Sequence, residues 1–378
     1  MGHSPKVKAG IAINLDKNIL GAALPLLQES IVETIEWSFD ALYQHRNIPA
    51  WFVELLETYA EANALIGHGV FFSLFNANWT EKQTQWLEHL SKVHSHFHFD
   101  HITEHFGYMT GQDFHRGAPM PVPLNSTTLL LGQQRLQMIG DRVQCPIGLE
   151  NLAFSFSKDD VKRHGDFLEK LVSKCNGFLI LDLHNLYCQA FNFNIDPDKL
   201  LELYPLHLVK EIHISGGSWE DSSLSQDRII RRDTHDNSVP QIVFELLQES
   251  LGKCDSLTHI ILEQLGVGLI SNKSKLQFKE DFIKMKNLVS KTEPNRHPPA
   301  NRNRFSYTPH QTDKPSDNGI EDLKRQQGEL SKLLESSISV PSLIDSLNTS
   351  SLARSDWSIE NWDESMIETA YRIVQKWK

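Results

Sequence analysis

The sequence predicts an α/β fold, a (β/α)8 barrel of the TIM type, over residues 1–291, with a linker at 292–319 and a small helical C-terminal extension at 320–378. Three observations carry this expectation. Short apolar runs alternate with amphipathic stretches from residue 31 to about residue 290, the order of strands each followed by a helix. Runs such as GFLILDL (177–183) are apolar almost throughout, as strands covered on both faces must be. No G-x-G-x-x-G turn follows the first strand, which weighs against the alternative, a doubly wound nucleotide-binding sheet.

The strand candidates, in order, are IVETIEWSF (31–39), ALIGHGVFFSL (64–74), HFDHITEH (98–105), CPIGLEN (145–151), GFLILDLHN (177–185), LVKEIHISG (208–216), RIIRRDTH (228–235) and THIILEQL (258–265). GIAINLD (10–16) is a ninth run of the same character, so the choice of first strand stays open. Residues 50–63, 126–143, 158–175, 237–252 and 279–291 read as the intervening helices. After residue 291 the character changes. Residues 292–319 hold five prolines and few apolar side chains, which reads as a flexible linker. Beyond it, Trp362, Met366, Ile373, Val374 and Trp377 fall on one helical stripe, suited either to docking on the barrel or to binding a partner or peptide.

Composition narrows the function. With 37 basic against 48 acidic residues the formal charge is −11, which argues against nucleic acid as a partner. No apolar run approaches the roughly 20 residues of a membrane span, and MGHSPKVKAG lacks the apolar core of a signal peptide. Cys145, Cys175, Cys188 and Cys254 form no C-x-x-C pair. A cytoplasmic, reducing location is therefore expected, and any metal would be held by nitrogen and oxygen.

The ionisable residues supply the chemistry. His68, His105, Glu150, Asp182 with Asn185, His213, Asp233 with His235, and Glu263 each close a different apolar run, and Glu36 and Asp40 occupy the matching place on the first. In a closed barrel those ends converge on one mouth. Taken singly, a strand histidine is more often a core residue and an Asp after a strand more often a helix cap. Together, four imidazoles and four carboxylates at one level would leave unpaired polar groups unless cations bind them. Eight or nine ligands suit two or three ions. Mixed imidazole and carboxylate without thiolate suits iron, manganese or zinc.

HSHFHFDHITEH (94–105) holds five histidines in twelve residues and contains H-x-x-E-H at 101–105, a zinc-peptidase signature. That chemistry needs a helix. On a strand His101 and His105 stand about 13 Å apart, too far to share an ion. His105 is thus the candidate ligand, His101 a core residue, Glu104 an orienting group, and His94, His96 and His98 helix-end or solvated residues.

These residues also carry a resemblance. HGV (68–70), TEHF (103–106), PMPVPL (119–124), LEN (149–151), LDLHNLYCQAFNFNIDP (181–197), EIHISGG (211–217), DTHD (233–236) and LE (262–263) follow in that order. The set resembles the multinuclear non-heme iron-dependent oxidative enzymes (MNIO), the family that includes the oxidase of methanobactin biosynthesis, over roughly residues 10–290. The resemblance implies a xylose-isomerase-like barrel with two or three irons, Fe2+ and Fe3+, held by His68, His105, Glu150, Asp182, Asn185, His213, Asp233, His235 and Glu263. It implies O2-dependent modification of a residue, commonly cysteine, in a ribosomally synthesised precursor peptide, often with a separate peptide-presenting protein. Glu150 and Asp182 would act as catalytic carboxylates holding the irons close, and Tyr187 would donate a hydrogen bond nearby. Phe75 and Leu265 depart from the pattern, at positions expected in the wall of the site, and the chain is long for the family. A divalent-metal sugar isomerase or epimerase, a zinc phosphodiesterase and a metal-storing scaffold are the competing readings.

Overall fold

The computed structural model describes residues 6–42, 48–111, 119–225, 227–292, 305–309 and 313–377. Eight parallel strands close into a barrel: β1 (Lys8–Ile13), β2 (Thr34–Trp37), β3 (Leu65–Gly69), β4 (Ile102–Glu104), β5 (Ile147–Glu150), β6 (Phe178–Asp182), β7 (Val209–Ile214) and β8 (His259–Leu262). The chain order is the spatial order, and β8 pairs with β1 through Lys8↔His259 and Ile11↔Leu262. The predicted barrel is therefore present, with one exchange among its strands.

GIAINLD supplies β1, whereas RIIRRDTH is no barrel strand. Its residues Ile229–Arg231 pair antiparallel with Trp219–Asp221 in a hairpin. The reason lies in the side chains: only Ile229 and Ile230 are apolar before two arginines, too little to fill both faces of a buried strand. Asp233 and His235 thus arrive on a loop rather than at a strand's end.

Helices cover the outer face, and the sequence caps them where the mouth requires sharp turns. Asp182 is the last residue of β6 and the N-cap of helix Leu183–Asn192. Asn125 caps Ser126–Val143 by accepting from Thr128 N at 3.0 Å, and Ser157 caps Lys158–Ser173 by accepting from Asp160 N at 3.1 Å. Gly69 at the end of β3 is required by space, since a Cβ there would fall 1.8 Å from Glu104 Oε1. The four cysteines are buried and none is in a disulfide.

The C-terminal region is helical: Asp317–Ser336, Val340–Thr349 and Glu364–Trp377. Its Leu330, Leu343, Met366 and Val374 belong to the same buried cluster as the barrel helices. Trp362 precedes the last helix and stacks on Phe156 at 3.7 Å between ring centroids, while the Trp377 side chain lies outside the described residues. Within the predicted linker, residues 293–304 and 310–312 also lie outside the described residues. Phe305 is buried and Tyr307 packs over Gly140.

One of the ties between the extension and the barrel is a buried amide. Gln327 Oε1 accepts from Ala77 N at 3.0 Å, and its Nε2 donates to Phe75 O at 2.8 Å. Gln327→Ala leaves a buried N–H and a buried carbonyl without partners, an expected loss of about 1–3 kcal/mol each at most. Denaturant unfolding of the full chain should show a lower midpoint with the same slope.

Candidate metal centre

The strand ends bring most of the predicted residues together. His68 (β3) and His105 (just past β4) place their Nε2 atoms 2.7 Å apart, and Glu150 Oε2 (end of β5) lies 3.6 Å from the first and 3.1 Å from the second. Two ligands at right angles on an ion with bonds of 2.0–2.1 Å stand about 3 Å apart, so this triangle has the dimensions of one face of a coordination shell. Glu150, Asp182 and His213 form a second close group, Asp182, His235 and Glu263 a third, and Glu36, Glu211 and His213 a fourth. Glu150 and Asp182 each belong to two groups, the position of a carboxylate that bridges.

Local structure explains how these side chains are aimed. One oxygen of Asp182 caps its helix by accepting from Asn185 N at 2.6 Å, which turns the other toward the barrel axis. Asn185 sits one turn along and donates through Nδ2 to Glu150 Oε1 at 3.1 Å. Thr103 Oγ1 lies 2.8 Å from His68 Nδ1 and fixes that ring with Nε2 facing the cluster. Arg231 donates to His184 Nε2, which leaves His184 Nδ1–H to donate to Asp233 Oδ1 at 2.8 Å. Asp233 Oδ2 in turn meets His235 Nε2 at 2.8 Å, while His235 Nδ1 lies 3.4 Å from Glu263 Oε2.

Burial shifts the titration of these groups strongly. Burial pushes Glu36 and Asp182 up to about 7, and it pushes Glu150 well above the usual carboxylate range, helped by Asp182 and Glu263. His68 is pushed well below its ordinary value by burial and by His105 and His213. At His213 burial opposes the charge, but Glu36, Glu211 and Glu263 outweigh it and the ring is held well above its ordinary value. Both oxygens of Glu36, Asp182 Oδ2, Asn185 Oδ1, Glu211 Oε1, both nitrogens of His213 and His235 Nδ1 are buried without a hydrogen bond. Buried polar atoms in native proteins have partners. These eight nitrogens and oxygens, close together at the carboxyl ends of the strands, are a donor set that fits hard or borderline cations.

Several residues are placed differently from expectation. Tyr187 does not join the cluster: its ring packs on His184 and Phe191 with Arg231 above it. It is two residues beyond Asn185 on the helix, about 200° around the axis, so it faces away. Phe75 is no wall of the site but a core residue pressed on Phe106 and Gly132. Asp40 is a structural acceptor for Val70 N, Phe71 N and Trp86 Nε1. Glu211 and His184 were not predicted as site residues, and Glu36, noted with Asp40 as matching the strand-end candidates, was not among the nine predicted ligands. Glu36 sits mid-strand rather than at an end, and period-two spacing from His213 was the signal available for Glu211.

His101 is buried in the barrel with Nε2 2.9 Å from Glu211 Oε2. Asp100, His101 and His259 there also approach one another, yet Lys210 Nζ lies 2.9 Å from Asp100 Oδ1 and 3.0 Å from His101 Nδ1. An ammonium already compensates that cluster. A cavity of about 180 Å3 is lined by His105, Glu150, Asn185, Asp233 and His235 of the cluster together with Arg231, Arg232, Phe106, Leu152 and Phe154.

A closed parallel barrel with histidine–carboxylate groups that could hold metal at the carboxyl ends of its strands defines the class of architecture. Residues 36–265 match the model of the family described as RiPP precursor modification enzyme MbnB/TglH/ChrH. The chain belongs to this family, and all nine predicted ligands lie inside the matched stretch. It is 27% identical over 154 residues to a UPF0276 protein of Caulobacter vibrioides, covering 40% of this chain and 52% of that protein. It is 26% identical over 208 residues to one of Psychromonas ingrahamii, covering 54% and 72%. The chain spans about half the length of the first of these curated relatives. Among solved structures it is similar to an L-ribulose 3-epimerase (TM-score 0.48, 12% identity, 79% of this chain and 99% of that one). A D-psicose 3-epimerase of Clostridium cellulolyticum H10 compares at TM-score 0.47 and 10% identity, over 75% and 99%. No helix among the described residues is long and apolar enough to cross a membrane.

Proposed function

We propose that the protein is a multinuclear non-heme iron oxidase that uses O2 to modify a residue, cysteine foremost, of a ribosomally synthesised precursor peptide. The observation that supports this most is the set of imidazole and carboxylate atoms buried without hydrogen bonds at the strand ends, beside a cavity lined by His105, Glu150, Asn185, Asp233 and His235. Membership of a family of precursor-peptide modifying enzymes supports the peptide as substrate. His68, His105, Glu150, Asp182, Asn185, His213, Asp233, His235 and Glu263 would hold two or three irons, with Glu36 closing the set from below. Bound there, iron would supply the redox equivalents and the Lewis acidity that these side chains lack.

The protein's own residues do the rest. Glu150 stands between the His68–His105 pair and the Asp182–His213 pair, so it would bridge, held in place by Asn185. Asp233 orients His235 and is itself oriented by His184 and Arg231. Phe106, Leu152 and Phe154 supply apolar surface to the cavity lining, which would limit water beside the centre. A separate protein that presents the peptide and a cytoplasmic location complete the proposal.

The test is metal analysis after anaerobic purification, with electron paramagnetic resonance of the partly oxidised state and O2 uptake with a cysteine-bearing peptide encoded beside the gene. Two or three irons per chain and peptide-dependent O2 consumption are expected. Zinc or manganese in place of iron, with no O2 uptake, would favour an isomerase-type reading and remove this one.

A further inference from the structure

We propose that the C-terminal helix Glu364–Trp377 is a wall of the substrate pocket, and that Ile373 and Thr369 on it set which side chain reaches the metal centre. The proposal rests on the reading of the upper site as a metal centre that admits a peptide side chain. The helix lies wholly outside the stretch that matches the family model, which ends at residue 265.

Two stripes on this helix do different things. Met366, Ala370 and Val374, spaced four apart, are buried in the common core. Thr369 and Ile373, also four apart, line the cavity that holds His105, Glu150, Asp233 and His235. A helix docked for stability alone needs only the first stripe. Thr369 Oγ1 donates to Ser365 O at 2.8 Å, which leaves its methyl as the free face. Ile373 is half-buried: it packs against the core on one side and lines the cavity on the other.

The helix is anchored where it matters. Glu368 is buried and accepts from Ser222 Oγ at 2.6 Å, Ser223 Oγ at 2.6 Å and Ser223 N at 2.9 Å. Arg372 pairs with Glu220 at 2.7 Å. These partners belong to the hairpin whose second strand carries Arg231, the residue that orients His184 and through it Asp233. One clamp therefore fixes both the helix and the far side of the metal cluster. A second cavity of about 300 Å3 is walled in the same way, by Trp357 and Trp362 of the extension against Pro121, Pro123 and Phe156 of the barrel loops.

A space of about 180 Å3 admits one side chain. Its lining combines the candidate ligands His105, Glu150, Asp233 and His235 with Arg231 and Arg232 and with the apolar Phe106, Leu152, Phe154 and Ile373, which suits a side chain with an apolar stem and an anionic or metal-donor tip. Residue 373 then acts on size, not on metal affinity.

The experiment uses the full chain loaded with cobalt(II), whose visible spectrum reports on ligands entering the open position, and two probes, acetate and diphenylacetate. Relative to acetate, Ile373→Ala is expected to tighten diphenylacetate at least about tenfold and Ile373→Trp to weaken it by about as much, the effect of a methylene or two in an apolar pocket. Cobalt content stays at the wild-type value in both. Glu368→Gln, which loosens the clamp without touching the cavity, should shift the ratio in the direction of Ile373→Ala. An unchanged ratio in both Ile373 variants, or no response to either acid in wild type and Ile373→Ala, overturns the proposal. Failure of the wild-type chain to bind cobalt is a different result: it removes the metal-centre reading, and this inference with it.

Discussion

His213→Ala is expected to lower the stability of the metal-free protein by about 3–5 kcal/mol, the range found when one partner is removed from a buried ion pair, and to abolish metal binding as well. His213 Nε2 lies 3.1 Å from Glu36 Oε2 and 3.6 Å from Glu211 Oε1, and its Nδ1 lies 3.6 Å from Glu263 Oε2. Without metal this ring is the one cationic group that all three carboxylates share. Its removal deprives fully buried Glu36 of its nearest cation, while Glu211 keeps only His101 and Glu263 only His235. His68→Ala is the informative comparison. That ring is held in the neutral form by burial and its imidazole neighbours, so its loss opens a cavity but strands no charge. The expected cost there is about 2–3 kcal/mol, near the low end for a large-to-small core change. Urea unfolding of both variants with a chelator present, at about pH 7, separates the two. Equal midpoints for His213→Ala and wild type would mean that the three carboxylates are protonated or solvated, and the electrostatic picture of the site would fall.

The contrast also shows why the sequence was informative about the mouth of the barrel and much less so about its interior. A residue that ends a buried apolar run is conspicuous, because a polar side chain there has nowhere to go but the mouth. That logic located His68, Glu150, Asp182, His213 and Glu263. It also located His235, although RIIRRDTH is a hairpin strand and loop; polar residues following two isoleucines look alike in either setting. Glu36 and Glu211 point into the barrel from within strands, where alternation alone cannot tell a site residue from a buried ion-pair partner. His184 was hidden for another reason. On the helix after β6 it looks like any polar residue of a first turn, and only the folded hairpin brings Arg231 and Asp233 to it. The role of the extension was equally invisible, since a stripe of apolar residues has the same spacing whether it meets a core or edges a cavity.

Glu150→Gln should leave the metal-free protein as stable as wild type and yet remove most of the stabilisation that metal confers. Without metal, burial holds the Glu150 carboxyl toward its neutral form, and Asp182 and Glu263 reinforce this against the pull of His213. A neutral amide of the same shape therefore replaces a group already close to neutral, and its carbonyl can still accept from Asn185 Nδ2. With metal the two differ completely. Each ion bound only by the folded state adds about 2.7 kcal/mol at a hundredfold excess over its dissociation constant. A carboxylate shared by two ligand groups contributes to more than one such term, and an amide offers only a weak neutral oxygen in its place. Thermal unfolding with chelator and then with iron(II), both without oxygen, should give coincident curves in the first condition and a large separation in the second. A wild-type-sized rise on adding iron to Glu150→Gln would mean that this carboxylate is not a ligand. Early unfolding in chelator alone would mean that its role is structural, and the bridge between the two halves of the centre would have to be sought at Asp182.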